Sequence, residues 1–151
     1  MKRFLNGALS AGVSAGVLAG LLAGLLTVQI AQAQDDASSL PAATTVGNVS
    51  YLSGGIGLDE STAMKGAASK YSLELVFSAG ASAAYIADVH VKVSDRSGKA
   101  VIDTVSNGPY LLANLPAGSY QVEASSKDVT KTQRVTVTKG SHKRLVFSWA
   151  D

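Results

Sequence analysis

Beyond Gly47, apolar residues recur at every second position over most of the chain. Leu73, Leu75 and Phe77 share one phase, with Glu74 and Ser78 on the other. Val89, Val91 and Val93 alternate with His90, Lys92 and Ser94, and Tyr120, Val122 and Ala124 alternate with Gln121, Glu123 and Ser125. Val135 and Val137 stand among Arg134, Thr136 and Thr138, and Leu145, Phe147 and Trp149 carry the rhythm to the end. A period of two with one apolar face marks a half-buried strand. Turn-forming stretches separate these runs: Asp95-Arg96-Ser97-Gly98, Asn107-Gly108-Pro109, Leu115-Pro116-Ala117-Gly118 and Lys139-Gly140. The pattern predicts an all-β chain, an antiparallel β-sandwich of about seven short strands. Its expected core is Leu73, Leu75, Phe77, Val89, Val91, Val93, Tyr120, Val122, Val135, Val137, Leu145 and Phe147, with Trp149 in step.

Two places break the rhythm. Asp59-Glu60-Ser61-Thr62 can start a helix, and Met64, Ala67, Ala68 and Tyr71 recur at helical offsets, which predicts a short helix near residues 60–69. Asp59 and Glu60 then sit at the positive end of its dipole. Asp103 shares a phase with Val101 and Val105 while Ile102 takes the other, which calls for a bulge or a buried polar contact. Val49 to Leu52 reads as a further short strand.

The N-terminal third differs in kind. Lys2 and Arg3 precede an uncharged, largely apolar run from Phe4 to Ile30, which ends in Ala31-Gln32-Ala33. A basic start, an apolar stretch and small residues before a cleavage point make a secretory signal peptide over residues 1–33, cut after Ala33. The competing reading is an uncleaved anchor. The run is long enough for a bilayer of roughly 30 Å, and Gly12, Gly16, Gly20 and Gly24 fall on one helix face suited to packing membrane helices. Against it, the repeated Gly weakens both helix propensity and hydrophobicity. Residues 34–47, rich in Ala, Ser, Thr and Asp, read as a flexible lead-in, and 48–151 as the folded domain. The expected location is periplasmic or secreted, with membrane contact only through an uncleaved signal.

Composition narrows the chemistry. With no Cys there is no disulfide scaffold, iron–sulfur centre, zinc ribbon, thiol enzyme or lipoprotein anchor. With only 2 His a His-only metal cage is excluded as well. The net charge of +2 is supplied by Lys2 and Arg3, so the remaining chain is neutral and has no general pull toward nucleic acid.

From Ile86 to Val137 the residues resemble a carboxypeptidase regulatory-like domain. The resemblance rests on Ala87-Asp88-Val89-His90-Val91-Lys92-Val93, on Asp95-Arg96-Ser97-Gly98-Lys99, and on Ser106-Asn107-Gly108-Pro109-Tyr110-Leu111-Leu112-Ala113-Asn114-Leu115-Pro116-Ala117-Gly118-Ser119-Tyr120. With its Tyr51-Leu52-Ser53-Gly54-Gly55-Ile56-Gly57 opening, the chain looks like the small secreted bacterial proteins that carry one such domain. The family implies a transthyretin- or prealbumin-like Greek-key sandwich, and its members bind, space or stabilise and do not catalyse. Leu115-Pro116-Ala117-Gly118-Ser119-Tyr120 is its most specific piece. Here Pro116 presets a turn, Gly118 closes it, and Tyr120 re-enters the core. A transthyretin-like branch that hydrolyses 5-hydroxyisourate needs several His, an Arg and a Tyr-Arg-Gly-Ser tail. This chain ends Phe147-Ser148-Trp149-Ala150-Asp151, so the resemblance does not extend to that activity.

Candidate chemistry is sparse. Gly54-Gly55-Ile56-Gly57 before a helix suggests an anion loop, but there is no Gly-Lys-Ser/Thr and Asp59-Glu60 oppose phosphate, so a permissive backbone loop is favoured. Asp88 and His90, with Lys92, share a strand face that lacks a third metal ligand. No Gly-x-Ser-x-Gly elbow exists, and Asn48-Val49-Ser50 is a sequon of a kind common by chance. Lys127, Lys131, Arg134, Lys139, Lys143 and Arg144 form a basic cluster suited to an anionic envelope surface or to protecting strand edges. Tyr85 and Tyr110 flank turns and are expected to be exposed. With Lys143 and Arg144 they make the candidate ligand or partner surface. No catalytic residue, cofactor or metal is expected. The expected partner is another envelope protein or a cell-envelope polymer, and the alternative is a carbohydrate-binding module.

Overall fold

A computed structural model describes residues 39–150; the signal-peptide reading falls outside them. The described residues form ten strands, β1 (Thr44–Val46), β2 (Val49–Gly54), β3 (Leu73–Ala79), β4 (Ala84–Tyr85), β5 (Val89–Ser94), β6 (Ala100–Ser106), β7 (Tyr110–Asn114), β8 (Gly118–Ser126), β9 (Val129–Val137) and β10 (Lys143–Trp149). Among the described residues one helix, α1 (Leu58–Ala67), runs into a 3-10 turn at Ala68–Lys70. Sheet A has the order β1-β2-β7-β3-β10, with β4 added to the end of β3, and sheet B the order β6-β5-β8-β9. The chain is a β-sandwich. Among the described residues no helix is long and apolar enough to cross a membrane.

Between the sheets lies the predicted core. Leu73, Leu75, Phe77, Val89, Val91, Val93, Val122 and Phe147 are fully enclosed, and Tyr120, Val135, Val137 and Trp149 are buried with them; Leu145 is partly buried against the same cluster. Phe77, Phe147 and Trp149 pack ring to ring at centroid distances of 6.1 to 6.4 Å.

The structure departs from the sequence pattern in three ways and decides between the two readings of Asp103. The folded part reaches back into the expected lead-in, because Gly47, at φ 60°, opens a two-residue turn that pairs β1 with β2. The pairing of β10 with β3 is parallel, Lys143 opposite Leu73 through Trp149 opposite Ala79, while every other pair is antiparallel. That follows from β10 leaving β9 in sheet B and crossing to sheet A. Glu74 and Ser78, placed on the solvent phase by alternation, are buried. Finally, Asp103 is explained by a bulge.

The burial of Glu74 has a clear cause. Helix α1 and the turn after it lie on the outer face of sheet A and bury Met64, Ala67 and Ala68 against Leu52, Val76, Tyr110 and Leu112. Strands β3 and β7 are therefore covered on both faces, and their side chains are buried almost without interruption. The loop before the helix is closed by Glu60, whose Oε1 accepts the Gly55 N–H at 2.6 Å and the Ile56 N–H at 3.4 Å. The glycine loop thus presents its amides to the chain's own carboxylate.

In β6 the register with β5 shifts between Val93 and Ser94, so that Ile102 pairs with Val93 but Ala100 pairs with Ser94. Val101 is the extra residue. Past it the alternation resumes with Ile102 inward and Asp103 outward, where Asp103 Oδ1 meets His90 Nε2 at 2.7 Å on the exposed face.

Tyr120 closes the turn that precedes β8, its hydroxyl donating to the Pro116 carbonyl at 2.7 Å. Burial first, and the Asp95 charge second, push its phenol above the ordinary tyrosine range. The stability this residue contributes is complete below about pH 10 and is lost as pH rises from there toward its raised value. Tyr120→Phe is expected to lower stability by about 1 kcal/mol, the net worth of one such hydrogen bond. Tyr110→Phe is expected to be neutral, because the Tyr110 hydroxyl is buried without a hydrogen-bond partner. Urea denaturation of the two variants checks the contrast; equal losses would contradict it.

Candidate functional site

Three of the four residues expected to form a surface meet on the outer face of sheet A. Tyr110 of β7 pairs with Val76 of β3, and Tyr85 of β4 pairs with Ser78, so the two tyrosines follow one another along the same side of β3. Their rings lie 5.4 Å apart at 49°. Arg144 of β10 pairs with Glu74 on the opposite side of β3. Lys143, one residue earlier, pairs with Leu73 and so has the other phase; it is exposed at the start of the strand and does not join them.

Tyr110 corrects the sequence expectation. It is 2% exposed, whereas Tyr85 is 57% exposed. A turn before Tyr110 suggested solvent, but α1 and the Gly55 loop pack onto it from above; Gly55 has no room for a side chain beside the Tyr110 ring. Burial, reinforced by neighbouring Tyr85, pushes the Tyr110 phenol well above the ordinary tyrosine range. Lys65 of α1 caps the pair, its Nζ 5.8 Å from the Tyr85 centroid and 5.7 Å from that of Tyr110.

Beside them Glu74 anchors a small polar clasp that alternation did not reveal. Its Oε2 lies 3.5 Å from Arg144 Nε and 3.3 Å from His142 Nε2. His142 Nδ1 lies 2.8 Å from the Tyr71 carbonyl. Both ring nitrogens face acceptors, so both contacts are hydrogen bonds only when the ring carries two protons. The clasp ties the start of β10 to β3 and to the turn after α1. It orders structure, with both basic side chains gathered on the one Glu74 oxygen.

Around this face lie large apolar side chains open to water: Ile56 at 64%, Leu58 at 80% and Tyr85 at 57% exposure. Ile56 and Leu58 flank Gly57, which adopts φ 86°; Ile56 lies in the glycine loop and Leu58 is the first residue of α1. Sequence reasoning missed both, since isolated apolar residues in a glycine loop carry no period.

The basic cluster disperses. Lys131 and Arg134 lie on β9 in opposite phases, Lys143 and Arg144 start β10, and Lys127 and Lys139 occupy the turns that bracket β9. Asp88 precedes β5 at φ 57°, and Lys92 pairs across strands with Asp103 and Glu123. Among the described residues no three His, Asp or Glu converge as a metal site.

No family model and no curated protein matches the chain. Among solved structures it is similar to the D312A variant of BcpA, the major pilin subunit of Bacillus cereus, at a TM-score of 0.36 and 14% identity. That likeness covers 52% of this chain and 28% of the pilin.

Proposed function

We propose that the chain is an exported, non-catalytic accessory module that holds another protein of the cell envelope, working without metal or cofactor. The observation that carries this reading is the exposed Tyr85 ring on the outer face of sheet A, set against Tyr110 and Lys65, with exposed Ile56 and Leu58 in the segment that leads into α1. Open apolar and aromatic side chains on a rigid support are the usual core of a protein contact. Lys65 beside Tyr85 supplies a polar rim. The sandwich under them is fixed from both sides of β3, so the contact residues are held in place before a partner arrives.

Further support comes from the N-terminal pattern of Lys2-Arg3, the uncharged run and Ala31-Gln32-Ala33, which implies export with cleavage after Ala33. The Leu115–Tyr120 turn, with Tyr120 bonded to Pro116, fits the carboxypeptidase regulatory-like resemblance and its non-catalytic members.

The test is photo-crosslinking in living cells. A photoreactive residue at Leu58 or Tyr85 is expected to capture the same envelope protein, and one at Lys139, on the β9–β10 turn, none. Adducts from all three positions alike, or from none, would overturn the reading.

A further inference from the structure

A groove of about 450 Å³ crosses the outer face of sheet B, far in topology from the Tyr85 surface. A second depression, of about 440 Å³, continues it along the Asp95–Lys99 turn. The lining is polar. Ser119 pairs with Thr136 and Gln121 with Arg134 across β8 and β9, so all four side chains share the outer phase. Ser94 pairs with Gln121 on the other side of β8, and the turn that follows β5 brings Arg96 to the rim. Ser94 and Arg134 stand on opposite sides of β8, with backbones about 10 Å apart at ordinary strand spacing, and Arg96 follows in the turn two residues beyond Ser94.

Both guanidinium groups are available. Among the described residues the close contacts between basic and acidic side chains are His90–Asp103, His142–Glu74 and Arg144–Glu74, none of which uses Arg96 or Arg134. The one carboxylate in the groove is already engaged. Asp95 Oδ1 accepts the Ser97 N–H at 2.9 Å, the Ser97 hydroxyl at 2.6 Å and the Lys99 N–H at 3.1 Å. It folds the turn that carries Arg96; Glu123, the next outward residue of β8, accepts from Gln121 Nε2 at 3.4 Å, so the groove itself offers two unpaired guanidinium groups beside one turn-forming carboxylate.

We propose that this groove binds an acidic polysaccharide, with sugar carboxylates on Arg96 and Arg134 and sugar hydroxyls on Ser119, Gln121 and Thr136. A guanidinium matches a carboxylate through two parallel hydrogen bonds. Hydroxyl and amide groups between the two cations match the hydroxyls of a sugar ring. The lining offers no exposed aromatic ring: Tyr120 is buried, its hydroxyl turned to Pro116. That disfavours a neutral sugar held by stacking and a single-stranded nucleic acid held by base stacking. This site is independent of the protein contact proposed at Tyr85.

The experiment is calorimetric titration of the purified protein at low salt. The ligands are oligogalacturonate, neutral dextran of similar length, and poly-glutamate. Oligogalacturonate is expected to bind saturably and to weaken with added salt, with no dextran binding. Arg96→Gln and Arg134→Gln are each expected to weaken it about tenfold or more, while Lys143→Gln, on the other sheet, leaves it unchanged. Thermal melts of the Arg variants should match the parent, since both side chains are exposed. No oligogalacturonate binding, or binding insensitive to both Arg substitutions, overturns the proposal. Equal binding of poly-glutamate with the same Arg dependence also overturns it, in favour of an acidic protein segment.

Discussion

Val91→Asp is expected to leave the protein unfolded at room temperature. Val91 is fully enclosed between Thr104 of β6 and Ala124 of β8 and belongs to the main core cluster. A carboxylate there has no partner among Val, Leu and Phe side chains, and its burial costs several kcal/mol. A domain of this size has a total stability of about 5–15 kcal/mol, so most of it is lost. His90→Ala, one residue away on the exposed face, is expected to change stability by less than about 1 kcal/mol, because it removes only a solvent-exposed contact with Asp103. The single Trp149, packed with Phe77 and Phe147, reports both outcomes through its fluorescence. If Val91→Asp melts like the parent, the register of β5 is wrong by one residue, since a slip of one exchanges the faces.

That contrast is legible from the sequence because β5 has water on one side and the core on the other. The same holds for β8 and for Phe147 and Trp149 of β10, whose inward residues all follow the apolar phase. Where a second layer covers the sheet, alternation fails. Strand β3 reads Leu-Glu-Leu-Val-Phe-Ser and is buried throughout, yet Glu74 and Ser78 break its apolar run and imitate a solvent face. Strand β7 carried the better clue: Tyr-Leu-Leu-Ala is continuously apolar, the pattern of two-sided burial, and it contradicts an exposed Tyr110. Direction was invisible, because a period of two is the same in a parallel strand and an antiparallel one. This is why β10 was expected to be antiparallel like the rest.

The candidate surfaces were less legible for a topological reason. Tyr85 and Tyr110 are neighbours because β4 and β7 pair with successive parts of β3, which nothing in their own sequence states. Lys143 and Arg144 are adjacent in the chain but take opposite phases, so only Arg144 reaches the clasp with Glu74. Conversely, Arg96 and Arg134 lie far apart in the chain and line the same groove because β5 and β9 both pair with β8.

The second large effect concerns backbone, and no pattern of polarity reports it. Gly108 is buried, and a side chain there would run into the Gly54 carbonyl at the end of β2. Gly54 is equally closed, with Glu60 and Pro41 where its own side chain would be. The two glycines let β2 and the start of β7 meet backbone to backbone, where Gly54 pairs with Tyr110 and the Asn107 N–H donates to Ser53 Oγ at 3.1 Å. Gly108→Ala must push these segments apart. That loosens Tyr110, around which α1 packs, and shifts the loop whose amides Glu60 holds. The obstacle is main chain and cannot rotate away, so the expected loss is about 3 kcal/mol, at the upper end for overpacking. Gly98→Ala separates space from conformation: nothing lies within 4 Å of its missing side chain, but its φ is 85°. Only the conformational strain of about 1 kcal/mol is expected there. Urea midpoints should therefore fall in the order parent, Gly98→Ala, Gly108→Ala. A Gly108→Ala midpoint at or above that of Gly98→Ala would mean that β2 and β7 do not meet in the register described, and with it the seating of α1 on sheet A would fall.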